Sequence, residues 1–195
     1  MYYELVGNQK YAEFTPVDES DERKVYWTTV GVGDPLPPLQ DWEPAQLTEY
    51  RGDGPKLRKS RKLPDCDGRY ISHKAKEALS DIWDKHVSLY PVFVQEAPDP
   101  RYYMMVCQTV LDCLDLEKSE FARRSNGVPY LLKHWVFDES AVGDAEIFRF
   151  VDRFPKSAMG YENYVSEEFV RRVTEAKLTG FCFWKFFGDP KPILT

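Results

Sequence analysis

Cysteine is scarce in this chain and is not arranged for a disulfide framework or a zinc site. The four cysteines are Cys66, Cys107, Cys113 and Cys182, and none of them belongs to a CxxC pair. Cys107 and Cys113 lie in strongly apolar segments, which suits reduced thiols in a protein core. This usage is typical of a cytoplasmic protein, and we expect that location.

Long apolar runs and a basic-then-apolar leader are missing as well. No stretch approaches the roughly 18 apolar residues that a transmembrane helix needs, and the first residues, MYYELVGNQKYAEF, lack the pattern of a secretory signal. The formal net charge is −6, which favours solubility and opposes attraction to polyanions. We therefore expect neither a membrane nor a nucleic acid as a partner.

The motifs of common catalytic and cofactor sites are also missing. The chain contains no GxSxG, no P-loop and no GxGxxG. His73, His86 and His134 lie on different predicted elements, and no two of them have metal-ligand spacing with a cysteine or an acid. A nucleophilic pair of Cys113 and His134 would need a reactive thiol, whereas a thiol in an apolar strand is usually inert. The sequence predicts no catalytic residue, no metal and no cofactor.

A repeated pattern supplies much of the predicted fold. Ser72 is expected to cap a helix that runs into a strand after Asp84. Ser166 is expected to cap a second helix of the same kind, which stops at Gly180 and is followed by another strand. The two serines are 166 − 72 = 94 residues apart, and the same offset relates apolar positions on both sides of them. The pattern indicates two copies of a cap–helix–strand unit.

Three further strand candidates lie between the two copies. They are RYYMMVCQTVLDCL, YLLKHWVFDE and EIFRFVDRF. This order predicts an α+β fold with a mostly antiparallel sheet and helices on one face.

The first third of the chain has a different character. Residues 1–66 are expected to form an irregular N-terminal region that ends with a basic loop. Short strands are predicted at Tyr2 to Val6 and at Val25 to Val30, separated by the acidic turn DESDERK. Residues 67–195 are expected to form the α+β core, and both parts together are expected to make one compact domain.

The stretch VLDCLDLEKSEF concentrates acids around one cysteine and one serine. In an extended strand Asp112 and Asp115 would point to opposite faces, so they could not act on one substrate group. The run is therefore interpreted as a strand that ends in a polar turn. Asp115, Glu117 and Glu120 are candidate partner contacts, whereas Asp112 and Ser119 are expected to hold the turn and the sheet together.

Basic residues supply two more candidates. The segment PKLRKSRKLP is either a solvated loop or a docking site for an acidic partner, through Lys56, Arg58, Lys59, Arg61 and Lys62. Nucleic acid suits it poorly, because no aromatic residues alternate with the basic ones. Arg149 is expected to stabilise the sheet by pairing with an acid in a half-buried ion pair.

The order of these segments resembles the Imm11 (DUF1629) family of bacterial immunity proteins. The resemblance covers about residues 42–187, and it rests on the Asp112–Cys113 pair leading to Ser119, the IFR around Arg149, and the capped helix ending in LTGFCF. It implies a non-catalytic cytoplasmic protein that binds a cognate toxin delivered between cells. The toxin is then expected to be encoded by an adjacent gene.

An alternative stays open on the residues alone. The chain could be a non-catalytic interaction or scaffold protein of another bacterial surface or motility system. The two functions differ in their partners, because only an immunity protein requires a toxin gene as its neighbour.

Overall fold

The computed structural model describes residues 1–29, 36–52, 61–98, 101–153 and 162–195. Within these ranges the strands are β1 (Tyr2–Gly7), β2 (Phe14–Pro16), β3 (Ala45–Glu49), β4 (Tyr70–Ser72), β5 (Val87–Val94), β6 (Arg101–Cys107), β7 (Val110–Leu111), β8 (Glu120–Arg123), β9 (Pro129–His134), β10 (Ile147–Phe150), β11 (Tyr164–Ser166), β12 (Phe181–Trp184) and β13 (Ile193–Leu194). The α-helices are α1 (Glu19–Thr29), α2 (His73–Ala78), α3 (Ser80–His86), α4 (Glu139–Val142) and α5 (Glu167–Glu175).

The strands form three sheets. The larger two have the orders β13-β12-β1-β11-β10-β7 and β2-β3-β5-β6-β4, and β8 with β9 forms a separate hairpin. Most neighbouring strands are antiparallel; the β3–β5 and β7–β10 pairs are parallel. The predicted α+β class is confirmed. In the described ranges we find no helix with both the length and the apolar character needed to cross a membrane.

The predicted repeat is present, and each copy includes two strands besides the predicted one. Strands β4 and β11 each end at a capping serine, and β5 and β12 begin 181 − 87 = 94 residues apart. In both copies a third strand pairs with the first, because Tyr102 lies opposite Ser72 and Tyr2 lies opposite Ser166. The offset of this third strand is 102 − 2 = 100. We call β4, α2, α3, β5 and β6 the first unit, and β11, α5, β12 and β1 the second unit.

The two units share one hydrophobic core. The side chains of α3 and α5 meet at Trp83 and Phe169, whose rings make an edge-to-face contact at 5.6 Å between centroids. Alternate residues of β1, such as Tyr3 and Leu5, enter the same core. Tyr2 points to the opposite face of the sheet and packs in another cluster beneath the β8–β9 hairpin. The second unit therefore packs against the first unit on one face and positions the hairpin on the other.

Both serine caps are formed, but with different partners. Ser166 Oγ accepts a hydrogen bond from Phe169 N at 3.1 Å. Ser72 Oγ accepts one from Ala75 N and also donates to the Asp65 carboxylate at 2.9 Å, in a buried position. Asp65 in turn accepts from the backbone N–H of Thr179 in the segment before β12, so this cap joins the two units.

The difference between the caps predicts unequal losses of stability. We expect Ser166→Ala to lower the free energy of unfolding by about 1 kcal/mol, as for an ordinary cap. We expect Ser72→Ala to lower it by about 2 kcal/mol, since a buried carboxylate also loses a donor. Urea denaturation of the two variants measures both values, and an equal loss would contradict the linking role of Ser72.

One predicted strand is wrong. Val25 lies in helix α1, and the predicted strand from Val25 to Val30 is not formed over its described part. The acidic segment before it is the start of that helix, because Asp18 Oδ1 accepts hydrogen bonds from the backbone N–H groups of Ser20 and Asp21. Acids in the first helical turn are favoured by the helix dipole, so the acidic segment begins a helix instead of forming a turn.

A second strand is shorter than predicted. The candidate RYYMMVCQTVLDCL divides into β6, which ends at Cys107, and β7, which belongs to the other large sheet. Asp112 lies beyond β7, so Asp112 and Asp115 do not lie on opposite faces of one strand.

Strand β1 lies between β11 and β12 in the six-stranded sheet. The division of the chain near residue 66 stays a prediction.

Candidate partner-binding surface

The acidic turn at residues 115–119, which precedes the β8–β9 hairpin, is stabilised by hydrogen bonds to Asp115. The carboxylate of Asp115 accepts hydrogen bonds from the backbone N–H groups of Glu117 and Lys118, both at 3.1 Å, and from Lys118 Nζ at 2.7 Å. The bond from the Lys118 side chain is the largest cause of a lowered pKa at Asp115. Most of the acceptor capacity of Asp115 is therefore used within the turn.

Glu117 and Glu120 differ from Asp115 because they are exposed and unpaired. In the part of the chain that the structure describes, no cationic group lies within 4 Å of either carboxylate. Glu120 begins β8, where it lies opposite His134 of β9. Both acids are thus accessible at one edge of the hairpin.

Ser119 connects the turn to the segment that follows β9. Its hydroxyl accepts a hydrogen bond from Val136 N at 3.0 Å, and its own N–H donates to Asp115 O at 3.0 Å. The side chain is buried. An isolated bridge between Leu114 and Phe137 continues the same connection, so the turn is held at both ends.

Asp112 and Arg149 lie away from this turn. Asp112 makes an exposed bidentate ion pair with Arg153. Arg149 is half-buried on β10, and none of the described acids comes within 4 Å of its guanidinium. The acid partner expected for Arg149 is therefore not found in the described ranges.

The basic segment is described only in part. Lys56, Arg58 and Lys59 lie outside the described residues. Arg61 donates through Nη1 to Gln9 O at 2.6 Å, and its backbone N–H donates to Glu49 Oε1 at 2.6 Å. Lys62 is exposed, with its ammonium 5.9 Å from the centre of the Tyr11 ring.

A groove of about 340 Å³ adjoins the hairpin, and no pattern in the sequence predicts it. Its floor contains Trp135 and Phe137, which are buried, and its rim includes Met1 and Phe186, which are 63% and 37% exposed. The complete lining is Met1, Tyr2, His134, Trp135, Val136, Phe137, Glu139, Lys185 and Phe186. The groove is therefore mainly apolar, with one acid, one lysine and one histidine at its edge.

Further exposed apolar side chains lie on the hairpin, in the acidic turn and in the segment after β12. Tyr130 on β9 is 47% exposed, and Phe187 is 48% exposed. The backbone N–H of Phe187 donates to Lys133 O, so Phe187 lies beside β9. Leu116 in the acidic turn and Val128 in the hairpin loop are exposed too. Large exposed apolar residues grouped on one part of a surface are typical of protein-binding sites. We call the turn, the hairpin and the groove together the hairpin surface.

The thiol of Cys113 and the imidazole of His134 differ in their exposure at this surface. Cys113 is buried beneath the hairpin, and burial raises the pKa of its thiol to about 11. His134 is exposed at the groove. Among the described residues, no group of three His, Cys, Asp or Glu side chains has the arrangement of a metal site.

Comparison with known proteins identifies one related family. A family model described as an immunity protein family, Imm11, matches residues 53–187, which is more than two thirds of the chain. The match spans the first unit, the hairpin and most of the second unit. A search of curated proteins finds no match.

Proposed function

The chain belongs to the Imm11 immunity protein family, and on this premise we propose that it binds and neutralises a cognate bacterial toxin through its hairpin surface. The observation that carries the proposal is the family match across residues 53–187. The hairpin surface supports it physically, because it combines a preformed groove with exposed aromatic side chains. Aromatic side chains in such positions supply much of the binding energy in protein complexes.

Neutralisation is proposed to work by obstruction, without catalysis and without a cofactor. Asp112 pairs with Arg153, Cys113 is buried and His134 lines the groove. This arrangement supports this part of the proposal, because paired catalytic groups must converge on one atom. We propose that the chain binds the toxin in the cytoplasm and that an adjacent gene encodes the toxin. Glu117 and Glu120 would face basic groups of the toxin and would raise the association rate.

Co-expression tests the proposal directly. The full chain is expressed together with the toxin domain encoded by the neighbouring gene, and growth and co-purification are measured. We expect growth to be restored and the two proteins to co-purify. Growth arrest by an active toxin in the presence of the folded chain would contradict the proposal.

The hairpin surface is tested by a matched pair of variants. Phe186 and Phe93 are both 37% exposed. Phe186 lines the groove, whereas Phe93 lies on β5 in the five-stranded sheet. We expect Phe186→Ala to weaken toxin binding by about 30-fold or more, the loss typical of a central aromatic contact. We expect Phe93→Ala to change it by less than about threefold. Titration calorimetry measures both, and equal affinities would exclude the groove as the contact.

A further inference from the structure

The floor of the groove beside the hairpin is fixed by contacts within the chain. Trp135 Nε1 donates a hydrogen bond to Tyr2 O at 3.4 Å, and its ring contacts the Tyr164 ring at 5.2 Å between centroids. Phe137 contacts the rings of Tyr2 and Phe148 edge to face, at 5.8 and 5.2 Å between centroids. Side chains held in this way lose little conformational freedom when a partner binds. The groove is therefore preorganised.

The size of the groove limits what can enter it. Its volume is about 340 Å³, whereas a cavity of about 150 Å³ in a protein core binds one benzene ring. The groove thus has room for about two ring-sized groups. Met1 and Phe186 are exposed at its rim, so an entering apolar side chain would bury their surface together with its own. An apolar side chain is therefore the occupant that the groove favours.

One edge of the groove carries acids that lack a cationic partner. Glu139 lines the groove, is exposed, and begins helix α4. Burial and then the charge of Glu139 raise the pKa of Tyr2, which lines the groove too. Glu120 belongs to the same edge, because it lies opposite the groove-lining His134. In the described ranges no lysine, arginine or histidine nitrogen lies within 4 Å of either carboxylate.

The lysine of the acidic turn is already paired. Lys118 Nζ lies 2.7 Å from the carboxylate of Asp115. Its hydrogen bond to Asp115 is the largest cause of its raised pKa, and the charges of Asp138 and Glu117 add to the effect. Asp138 directly precedes Glu139 in the chain. The acidic turn therefore adds negative charge to this edge and supplies no free cation to it.

Other cations of this region lie apart from the two acids or beside another acid. Arg123 and Arg124 are at the loop end of the hairpin, whereas the acids are at its base. Lys133 directly precedes the groove-lining histidine on β9, so strand alternation points it to the other side. Lys185 lines the groove, but its backbone N–H donates to the carboxylate of Asp189 at 3.2 Å, which places an acid beside it.

We propose that the groove receives one segment of the toxin, in which an apolar side chain fills the groove and an adjacent lysine or arginine pairs with Glu139. The proposal rests on the toxin binding proposed above, and it names the chemistry that the toxin presents. A cation suits this edge because complementary charges beside an apolar contact favour one partner over others. An acidic segment at Lys185 and a second copy of this chain are the other possible occupants, and the experiments separate them.

The first experiment uses short peptides and needs no toxin. Acetyl-Leu-Arg-amide and acetyl-Leu-Glu-amide are titrated separately into the full chain, and the indole N–H resonance of Trp135 is followed by NMR. We expect the arginine peptide to saturate the shift and to bind about fivefold more tightly than the glutamate peptide, since an exposed acid attracts the first and repels the second. We expect Glu139→Gln to reduce this difference to less than about twofold.

The second experiment uses the toxin domain from the co-expression test. We expect Glu139→Gln to weaken its binding by about fivefold or more, measured by calorimetry. The matched control is Glu167→Gln. Glu167 is also exposed and also follows a capping residue at the start of its helix, but it does not line the groove. We expect the control to bind like the natural chain, and circular dichroism establishes that both variants are folded.

Three results of these experiments would overturn the proposal while the proposed function stands. The first is the lack of a saturable shift with either peptide. The second is tighter binding of the glutamate peptide, which would assign the groove to an acidic segment at Lys185. The third is a restored growth and a bound toxin with equal affinities for Glu139→Gln and Glu167→Gln.

Two further results concern the identity of the occupant. A dimer of the natural chain in sedimentation, dissociated by Phe186→Ala, would assign the groove to a second copy and overturn the proposal. If the arginine peptide binds as expected but the toxin domain does not bind, the proposed function fails, and the assignment of the segment to a toxin fails with it.

Discussion

Replacing Gly180 with alanine is expected to lower the free energy of unfolding by about 4 kcal/mol. Gly180 has a φ of +89°, a conformation that disfavours any side chain. The added Cβ would also lie 2.3 Å from Pro64 Cβ and 2.4 Å from Cys66 O. Because Cys66 O belongs to the backbone, it cannot rotate away, and the junction between the units must open. Chemical denaturation monitored by tryptophan fluorescence measures the loss.

Gly188 is the matched control for this substitution. Its φ of +73° is similarly positive, but a Cβ there would meet nothing within 4 Å. Gly188→Ala therefore isolates the backbone term, which we expect to be about 1 kcal/mol. If both alanine variants lower the free energy of unfolding by the same amount, the close approach at Gly180 does not contribute to the loss.

Replacing Glu4 with glutamine is expected to stabilise the protein above neutral pH by up to about 3 kcal/mol. Glu4 is buried on β1, and burial, with a smaller contribution from the charge of Glu162, raises its pKa from 4.5 to about 7. Since the folded state holds this proton more tightly than the unfolded state, stability falls as pH rises from about 4.5 to about 7. Glutamine removes the buried charge, so the gain is full above the folded pKa and disappears below the unfolded one.

Urea denaturation over a pH series measures this effect. The matched control is Glu117→Gln, which neutralises an exposed glutamate and should leave the pH dependence unchanged. If Glu4→Gln were less stable than the natural chain at about pH 8, the carboxylate would have a favourable partner and the raised pKa would be contradicted.

Local signals predicted the repeated unit well. Ser72 and Ser166 both cap helices, and the strand after each helix begins at the predicted spacing. These features depend on residues close together in the sequence, where capping and apolar periodicity act directly. The helix interruption at Leu79 was not predicted, because no glycine or proline marks it.

Long-range pairing was beyond the sequence patterns. Nothing local to Tyr2–Gly7 indicates that this strand lies between β11 and β12, more than 150 residues away in the chain. Likewise, the apolar run after Tyr102 showed no sign that it changes sheets at Gln108. Pairing between distant strands depends on the packing of whole faces, which one sequence does not display.

The hairpin surface was predicted only in part. Glu117 and Glu120 are predicted partner contacts and are exposed, but the groove is assembled from segments as distant as Met1, Trp135 and Phe186. No spacing rule connects such segments. The buried nitrogen atoms His86 Nε2 and Arg149 Nε were missed as well, since their burial depends on the packing of segments that are distant in the chain.

The position of β1 has a consequence for how the protein is made. Its neighbours, β11 and β12, emerge from the ribosome long after β1 has been translated. The growing chain must therefore keep an apolar segment, with Tyr3 and Leu5, unpaired for most of its synthesis, which exposes it to chaperones and to other nascent chains. A messenger RNA truncated before codon 164 would yield a product in which β1 has neither of its neighbouring strands to pair with.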